Sequence, residues 1–162
     1  MKKIFNIGVI GLGNIGSYFC NLLISKKKEI ELKTGKIINL KFVSAKSSKK
    51  KRKFKHKKRQ WVSNALDITK NSSIDIVVEL IGGADGFAKK IVLSSLINKK
   101  HVITANKALI AKHGNFLSSV AEKNKVNLEY EASVAGGIPI IRNLKESLIS
   151  NKINKIIGIL NG

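Results

Sequence analysis

A glycine-rich turn between an apolar strand and an amphipathic helix constrains this chain more than any other feature. Residues 4–10 are short, apolar and followed by a turn, which is typical of a buried strand. Residues 11–16 then have the sequence Gly-Leu-Gly-Asn-Ile-Gly, a G-x-G-x-x-G motif. In the helical pattern that starts there, Ile15, Phe19, Leu22 and Leu23 share one face. The motif in this context predicts a Rossmann-type turn that seats the pyrophosphate of a dinucleotide at the start of a helix.

Each glycine of the motif has its own physical reason. We expect Gly11 to permit the tight turn, Gly13 to let the backbone approach a pyrophosphate, and Gly16 to let the helix pack against the strand. The alternative is a glycine-rich turn in an α/β domain that binds nothing. The predicted cofactor-binding residues of the turn are Gly11, Leu12, Gly13, Asn14, Ile15 and Gly16.

The rest of the chain alternates strand and helix patterns. This predicts an α/β fold with a doubly wound, mainly parallel sheet. Further strands are expected at 37–45, 74–81, 101–105, 126–131 and 153–160, and a short strand or turn followed by a short helix over 61–70. Helices are expected at 87–97, at 107–123 with an interruption at Gly114, and after Pro139, where Ile141, Leu144 and Leu148 share a face. Lys26, Lys27 and Lys28 are expected in the last turn of the first helix.

Composition narrows the function classes. The 162 residues fit one domain, and no apolar stretch approaches the ~20 residues of a membrane-spanning helix. The single Cys20 cannot form an internal disulfide, so we expect a cytoplasmic protein with a packed thiol at this position. None of the three histidines stands at a metal-ligand spacing. The net charge of +21, with a dense basic run at 46–59, leaves a nucleic-acid partner as a class to consider.

The end of the second strand bears on the choice of cofactor. NAD-binding domains place an acidic residue there for the ribose hydroxyls, but this strand runs into Ser44-Ala45-Lys46 without Asp or Glu. Lys46 and Arg52 could neutralise a 2′-phosphate, which favours NADP and leaves NAD open. A Lys-rich loop that is merely solvated is the alternative.

Three later segments resemble one family. Residues 77–83 (Val-Val-Glu-Leu-Ile-Gly-Gly), 101–111 (His-Val-Ile-Thr-Ala-Asn-Lys-Ala-Leu-Ile-Ala) and 130–141 (Tyr-Glu-Ala-Ser-Val-Ala-Gly-Gly-Ile-Pro-Ile-Ile) follow the glycine turn in order. In this order they resemble homoserine dehydrogenase, as does the closing 158–162. The resemblance covers nearly the whole chain outside 46–59.

The resemblance implies an NAD(P)-dependent interconversion of L-homoserine and L-aspartate 4-semialdehyde, with a homodimer in the full-length protein. It places Lys107 near the nicotinamide and the reacting carbonyl, and Gly82 beside the cofactor. An ammonium there could stabilise charge on the carbonyl oxygen. The alternative is that Lys107 is a surface residue at a helix start. The family also holds a monovalent cation, usually sodium, through main-chain oxygens that match Glu131, Val134, Gly136 and Ile138; a tight loop before a helix is the alternative there.

The predicted domain organisation is a nucleotide-binding domain over 1–131 and the start of a substrate and dimerisation domain over 132–162. The family's second catalytic lysine and its acidic substrate-binding residues lie beyond this sequence. The chain therefore looks cut off, and we expect it to bind cofactor without turning over substrate.

Three alternative functions remain. The first is another reductase with a similar N-terminal domain, but reductases of that kind lack the segments Thr-Ala-Asn-Lys and Glu-Ala-Ser-Val-Ala-Gly-Gly-Ile-Pro in this order. A nucleic-acid module could use Phe54 and Trp61 within the basic run for stacking, although such aromatics usually anchor loops. A third possibility is an NAD(P)-sensing module without catalysis.

Overall fold

Five parallel strands form one sheet in the computed structural model, which describes residues 3–158. The strands are β1 (Ile4–Ile10), β2 (Ile37–Ser44), β3 (Ile76–Glu79), β4 (His101–Thr104) and β5 (Leu128–Glu129). Their order across the sheet is β2-β1-β3-β4-β5, and every pairing is parallel. The helices are α1 (Asn14–Ser25), α2 (Lys27–Thr34), α3 (Ala65–Lys70), α4 (Phe87–Ile97), α5 (Lys107–Lys123) and α6 (Ile140–Arg142). The predicted Rossmann-type α/β fold is confirmed.

Alternate residues of each strand face opposite layers of helix, as the two-residue strand period requires. On β1, Val9 packs in the cluster that contains Cys20 of α1, whereas Ile10 packs in the cluster that contains Ile68 of α3 and Ile91 of α4. A third cluster joins α4, α5 and the strands β4 and β5. Helices therefore lie on both faces of the sheet, which makes the fold doubly wound.

The strand order reverses beside β1, and this positions the candidate site. The chain moves from β1 to β2 on one side, and later returns to place β3 on the other side. The carboxyl ends of β1 and β3 consequently border an open crevice, where ligands of such sheets bind. Beyond β2, Trp61 makes a single parallel bridge with Val43, which confirms the short extended piece expected over 61–70.

Three predictions about helices need correction. α1 ends at Ser25, and Lys27 and Lys28 begin α2, because Glu29 pairs with Lys26 and Lys33 and stabilises a second helix. Gly114 does not interrupt α5, which stays continuous because buried residues on both sides of it pack against the core. The helix after Pro139 is only α6 followed by a π-helical turn over Asn143–Ser147, with Pro139 just before its first residue.

Strand lengths also differ from the predictions. β3 and β5 are shorter than expected, since residues on both sides of each strand belong to the connecting loops. The predicted strand at 153–160 is wrong over 153–158, where the chain is exposed and no strand pairs with it; residues 159 and 160 lie outside the described part. Among the described helices, none is both long and apolar enough to cross a membrane. The boundary at 131/132 stays a prediction.

Candidate functional site

The glycine turn between β1 and α1 is held by backbone contacts that exclude larger residues. Gly11 has a φ of +105°, and a Cβ there would overlap the carbonyl of Leu80. A Cβ on Gly16 would overlap the carbonyl oxygen of Gly11, so α1 sits directly against the turn. At Gly13, by contrast, a Cβ would meet nothing within 4 Å. Packing therefore requires glycine at Gly11 and Gly16, whereas Gly13 has open space beside its backbone.

That open space belongs to a cavity of about 820 Å³ in the crevice at the carboxyl ends of β1 and β3. Backbone from Gly11 to Gly13 forms one wall, and the residues after β2 form another. The lining includes the cationic residues Lys46, Lys50 and Arg52, and no Asp or Glu. Asn14 begins α1 at the mouth of the cavity, and no side chain caps this helix. Its first N–H groups and the positive end of its dipole therefore point towards a space suited to phosphates.

The basic run lies across this helix end instead of extending into solvent. A second cavity of about 410 Å³ is bounded by Gly13, Asn14 and Ser17 on one side and by residues 50–53 on the other. Phe54 is only 3% exposed and packs in the cluster that contains Cys20. The Nδ2 of Asn21 donates to the carbonyl oxygen of Lys53 at 3.2 Å. Phe54 is thus the anchor that holds the lysines over the glycine turn.

Arg52 stabilises its own loop, a role that the sequence does not suggest. Its two terminal nitrogens donate to the carbonyl oxygens of Lys50 and Ser47, and its guanidinium lies 5.8 Å from the ring centre of Trp61. Its Nε is buried without a hydrogen-bond partner. Arg52 therefore shapes the loop, while Lys46 and Lys50 line the same cavity.

The two aromatic residues of the basic segment are used inside the fold. Phe54 is buried, and half-buried Trp61 lies against the ring of His56, with 4.9 Å between ring centres, and beneath Arg52. Nucleic-acid modules of the kind considered above stack bases on free aromatic faces. The expected role of these residues as loop anchors is confirmed.

A buried polar network connects the loops after β3 and β4, and sequence reasoning missed it. Glu79 is fully buried, and its Oε2 accepts a hydrogen bond from the Thr104 hydroxyl at 2.6 Å. Its Oε1 accepts from the backbone N–H of Ile81 at 2.6 Å. The Nδ2 of Asn106 donates to the carbonyl oxygen of Gly83 at 2.7 Å. A glutamate within the apolar run 74–81 was the signal that could have revealed this network.

The structure places Lys107 and Gly82 beside this network and outside the large cavity. Lys107 is the exposed first residue of α5, immediately after Asn106, whose side chain caps the helix. Gly82 is exposed, with a φ of +93°. Because Asn106 bonds to Gly83, the two predicted residues lie on loops that are joined directly.

The third motif forms short helical turns next to β4. The Glu131 carboxylate accepts from the backbone N–H groups of Ile141 and Arg142, so it is engaged with the start of α6. The carbonyl of Glu131 accepts from Val134, and that of Ile138 accepts from Ile140. The described residues contain no cluster of three or more His, Cys, Asp or Glu side chains suited to a metal. A cation here would have to rely on main-chain oxygens, as the resemblance implies.

Two ionisable groups outside the crevice are explained by structure. Burial raises the pKa of the Cys20 thiol to about 12, in agreement with the packed thiol expected from sequence. Hydrogen bonds from Lys112 and His113 lower the pKa of Asp85 to about 2. Asp85 lies in the glycine-rich loop after β3, so these bonds tie that loop to α5.

Comparison with known proteins decides the family. Residues 11–131 match the family model for the NAD-binding domain of homoserine dehydrogenase. This chain belongs to the homoserine dehydrogenase family. The other reductases and the nucleic-acid module considered above are not favoured, and NAD(P) binding is the cofactor class that the matched domain supports.

Individual relatives agree with this family assignment. The chain is 40% identical to homoserine dehydrogenase of Neisseria gonorrhoeae over 162 residues, which is 100% of this chain and 37% of the relative. It is 37% identical to the Bacillus subtilis enzyme over 99% of this chain and 37% of the relative. The chain thus spans little more than a third of the length of these relatives.

Solved structures agree as well. The structure of homoserine dehydrogenase from Thiobacillus denitrificans has a TM-score of 0.81 and 35% identity, and the match covers 93% of this chain and 34% of that one. That of Staphylococcus aureus at pH 7.5 has a TM-score of 0.76 and 36% identity, over 83% and 34% respectively.

Proposed function

We propose that this chain is the cofactor-binding part of an NADP-preferring homoserine dehydrogenase, which interconverts L-homoserine and L-aspartate 4-semialdehyde. One observation carries the proposal. The open space at Gly13 lies at the uncapped start of α1 and faces a cavity whose charged side chains are all basic. A dinucleotide pyrophosphate fits this arrangement because the N–H groups and the lysines complement its negative charge.

The cavity wall formed by the residues that follow β2 favours NADP over NAD. An NAD site needs an acceptor for two ribose hydroxyls, and the cavity wall offers no carboxylate there. A 2′-phosphate would instead meet Lys46 and Lys50. Arg52 contributes positive charge while its terminal nitrogens are partly used by the loop.

The chemistry assigned to this chain centres on Lys107. When bound, the cofactor supplies or accepts the hydride. Lys107 is exposed at the start of α5, and its ammonium makes no hydrogen bond to the residues that the structure describes. We assign it to the developing charge on the carbonyl oxygen of the semialdehyde, where a cation stabilises the reduction. The remaining substrate contacts belong to the part of the relatives that this chain does not span.

The turns over 131–138 are proposed to hold a monovalent cation such as sodium through the carbonyl oxygens of Glu131, Val134, Gly136 and Ile138. Two of these oxygens already accept one backbone hydrogen bond each, and a carbonyl oxygen has a second lone pair for a hard cation. Melting in sodium chloride compared with choline chloride at equal ionic strength tests this. A higher melting temperature in sodium supports the site, and identical melting contradicts it.

Cofactor titration tests the main proposal. We expect the 162-residue chain to bind NADPH with one saturable site and at least about tenfold more tightly than NADH, a difference of about 1.4 kcal/mol. Lys46→Ala should reduce that ratio with little change in NADH affinity, because it removes a contact made only by the 2′-phosphate. Lys145→Ala, far along the chain in the π-helical turn, is the matched control and should leave the ratio unchanged.

The same titration separates the alternative functions. Binding of a generic RNA that collapses as salt rises, without saturable NADPH binding, would favour the basic module instead. Equal affinity for NADH and NADPH would contradict the NADP preference and leave the family assignment intact. We also expect no aldehyde reduction by this chain alone, and a normal turnover rate would contradict the assignment of the substrate contacts to the remaining part of the relatives.

A further inference from the structure

The carboxylate of Glu79 is an unexpected group in the middle of this sheet. It is fully buried at the end of β3, where the three preceding strand residues, Ile76, Val77 and Val78, are apolar. An isolated charge in such a place is costly unless donors surround it. Here Oε1 accepts from the backbone N–H of Ile81 at 2.6 Å and of Gly82 at 3.4 Å, and Oε2 accepts from Thr104 at 2.6 Å. The carboxylate therefore has donors on two chain segments, the loop after β3 and the end of β4.

Thr104 extends the network towards α5. Its hydroxyl donates to Glu79 and accepts from the backbone N–H of Asn106 at 3.0 Å. Asn106 in turn donates through Nδ2 to the carbonyl of Gly83 and accepts through Oδ1 from the N–H of Leu109 at 3.1 Å. Together with the backbone of residues 79–83, these hydrogen bonds close a ring between the loop after β3 and the start of α5. Lys107 is the residue that directly follows Asn106.

Stability alone is a poor explanation for this arrangement. Buried ionic groups are weak evidence for added stability, because the cost of removing the charge from water offsets much of what its partners contribute. A carboxylate does provide two oxygens that can hold two consecutive backbone N–H groups and a hydroxyl at once. That property matters where the relative position of two loops is functionally important.

We infer that Glu79 is a positioning residue, which acts through Thr104 and Asn106 to fix Lys107 relative to the glycine loop 82–83 at the nicotinamide end of the cofactor. This inference rests on the proposed function, because it assumes that a nicotinamide cofactor occupies the crevice. It differs from the proposed contacts at Gly13 and Lys46, which concern the phosphates and the ribose at the other end.

The test compares two ligands that differ only at the nicotinamide end. Calorimetry measures the affinity of the chain for NADPH and for 2′-phospho-ADP-ribose, which lacks the nicotinamide. Thr104→Val keeps the side-chain shape and removes both hydrogen bonds of the hydroxyl. We expect it to reduce the NADPH to 2′-phospho-ADP-ribose affinity ratio by about fivefold or more, with the affinity for 2′-phospho-ADP-ribose almost unchanged.

Two further variants make the result specific. Thr104→Ser restores the hydroxyl and should restore the wild-type ratio. Ser95→Ala removes another buried hydroxyl, which bonds within α4 to the carbonyl of Ile91, and should leave the ratio unchanged. Glu79→Gln should lower the ratio as Thr104→Val does, because an amide cannot accept from all three donors.

The outcomes separate the inference from the proposed function. If Thr104→Val weakens both ligands equally, or if the ratio does not change, Glu79 has only a structural part and the inference is overturned. If the wild-type chain binds both ligands with equal affinity, the inference also fails, whereas the proposed binding of the phosphates at the glycine turn still stands. If the wild-type chain binds neither ligand, nor NADH and ADP-ribose, the proposed function itself fails.

Discussion

Gly13 and Gly16 belong to one motif but are glycine for different reasons. A Cβ on Gly16 would overlap the carbonyl of Gly11, whereas a Cβ on Gly13 would project into the open cavity. The backbone at Gly13 has a φ of −71°, which other residues adopt readily. The two positions therefore separate the demands of folding from those of binding.

Substitution at these positions gives a matched pair of variants. Gly16→Ala should lower the free energy of unfolding by about 1–3 kcal/mol through overpacking. Gly13→Val should lower that free energy by only about 1 kcal/mol, the cost of a poorer N-cap, and should reduce NADPH affinity by about tenfold or more, because the side chain fills the space for the pyrophosphate. Urea unfolding and calorimetry measure the two effects. A strongly destabilised Gly13→Val that still binds NADPH would contradict this interpretation.

Asp85 gives a prediction about pH. Its folded pKa of about 2 is below the ordinary value of 3.8, because Lys112 and His113 bond to the carboxylate. The stabilising contribution is therefore complete above about pH 4 and is lost as the pH falls through the folded pKa. Asp85→Asn should reduce the pH dependence of the urea midpoint between pH 4 and 2. High salt should reduce the pH dependence of the wild-type urea midpoint, because Asp85 and Lys112 are both more than half exposed. An unchanged pH dependence in Asp85→Asn would contradict the prediction.

Single residues also show where sequence reasoning was sufficient and where it was not. The glycine motif was predictable because its neighbours in sequence are its neighbours in space. Glu79 and Thr104 were not recognised, because they are 25 residues apart and meet only through the pairing of β3 with β4. Arg52 was assigned to the cofactor alone, although the loop carbonyls that it binds become apparent only when the segment is folded.

At the scale of elements, the basic segment depends on one anchor. Phe54 is buried against α1 and holds the lysines of residues 50–53 over the glycine turn. Its neighbour Trp61 marks the point where the segment rejoins the sheet beside β2. The sequence indicated a loop here, and its anchored course over the helix end depends on the tertiary contact of Phe54.

Phe54→Ala should release this segment. We expect a loss of about 3–5 kcal/mol in the free energy of unfolding, as for other buried phenylalanines, together with weaker NADPH binding. Phe116→Ala is the matched control, since Phe116 is 51% exposed on α5 and should change both quantities little. Undiminished NADPH affinity in a folded Phe54→Ala chain would show that the lysines do not need their anchor.

Element boundaries were less predictable than element types. The apolar period identified β1, α4 and α5 because these are long and regular. It failed at α2, where Lys–Glu pairs extend helix without an apolar face, and at 153–158, where an apolar run has no strand beside it. A strand pattern specifies a strand only when a neighbouring strand supplies hydrogen bonds.

The whole molecule leaves one face of the sheet partly uncovered. On α1, Ile15 and Tyr18 are 65% and 69% exposed, and Leu22 continues the same helical stripe. Ile103 of β4 pairs with Val78, which faces α1, so it lies on that side of the sheet and is partly exposed. A contiguous apolar patch usually marks an interaction site, and the stripe on α1 is the candidate for one.

The exposed stripe gives a prediction for the chain by itself. Replacing Tyr18 and Leu22 by serine should leave the free energy of unfolding within about 1 kcal/mol of wild type, because both side chains already contact solvent. The same double variant should bind less of a hydrophobic dye and remain soluble at higher concentration. A large loss of stability would mean that these side chains are packed in solution.

The central claim is that the turn over 11–16 seats a pyrophosphate, and backbone amide NMR tests it most directly. During titration of the ¹⁵N-labelled chain with NADPH, the account predicts saturable shifts of the amides at Gly13, Asn14, Ile15 and Gly16. Gly13→Val should need at least about tenfold more NADPH to reach the same fraction of these shifts. If saturation with NADPH shifts only the amides of the basic run 46–59 and leaves the amides of the glycine turn unchanged, the account is contradicted.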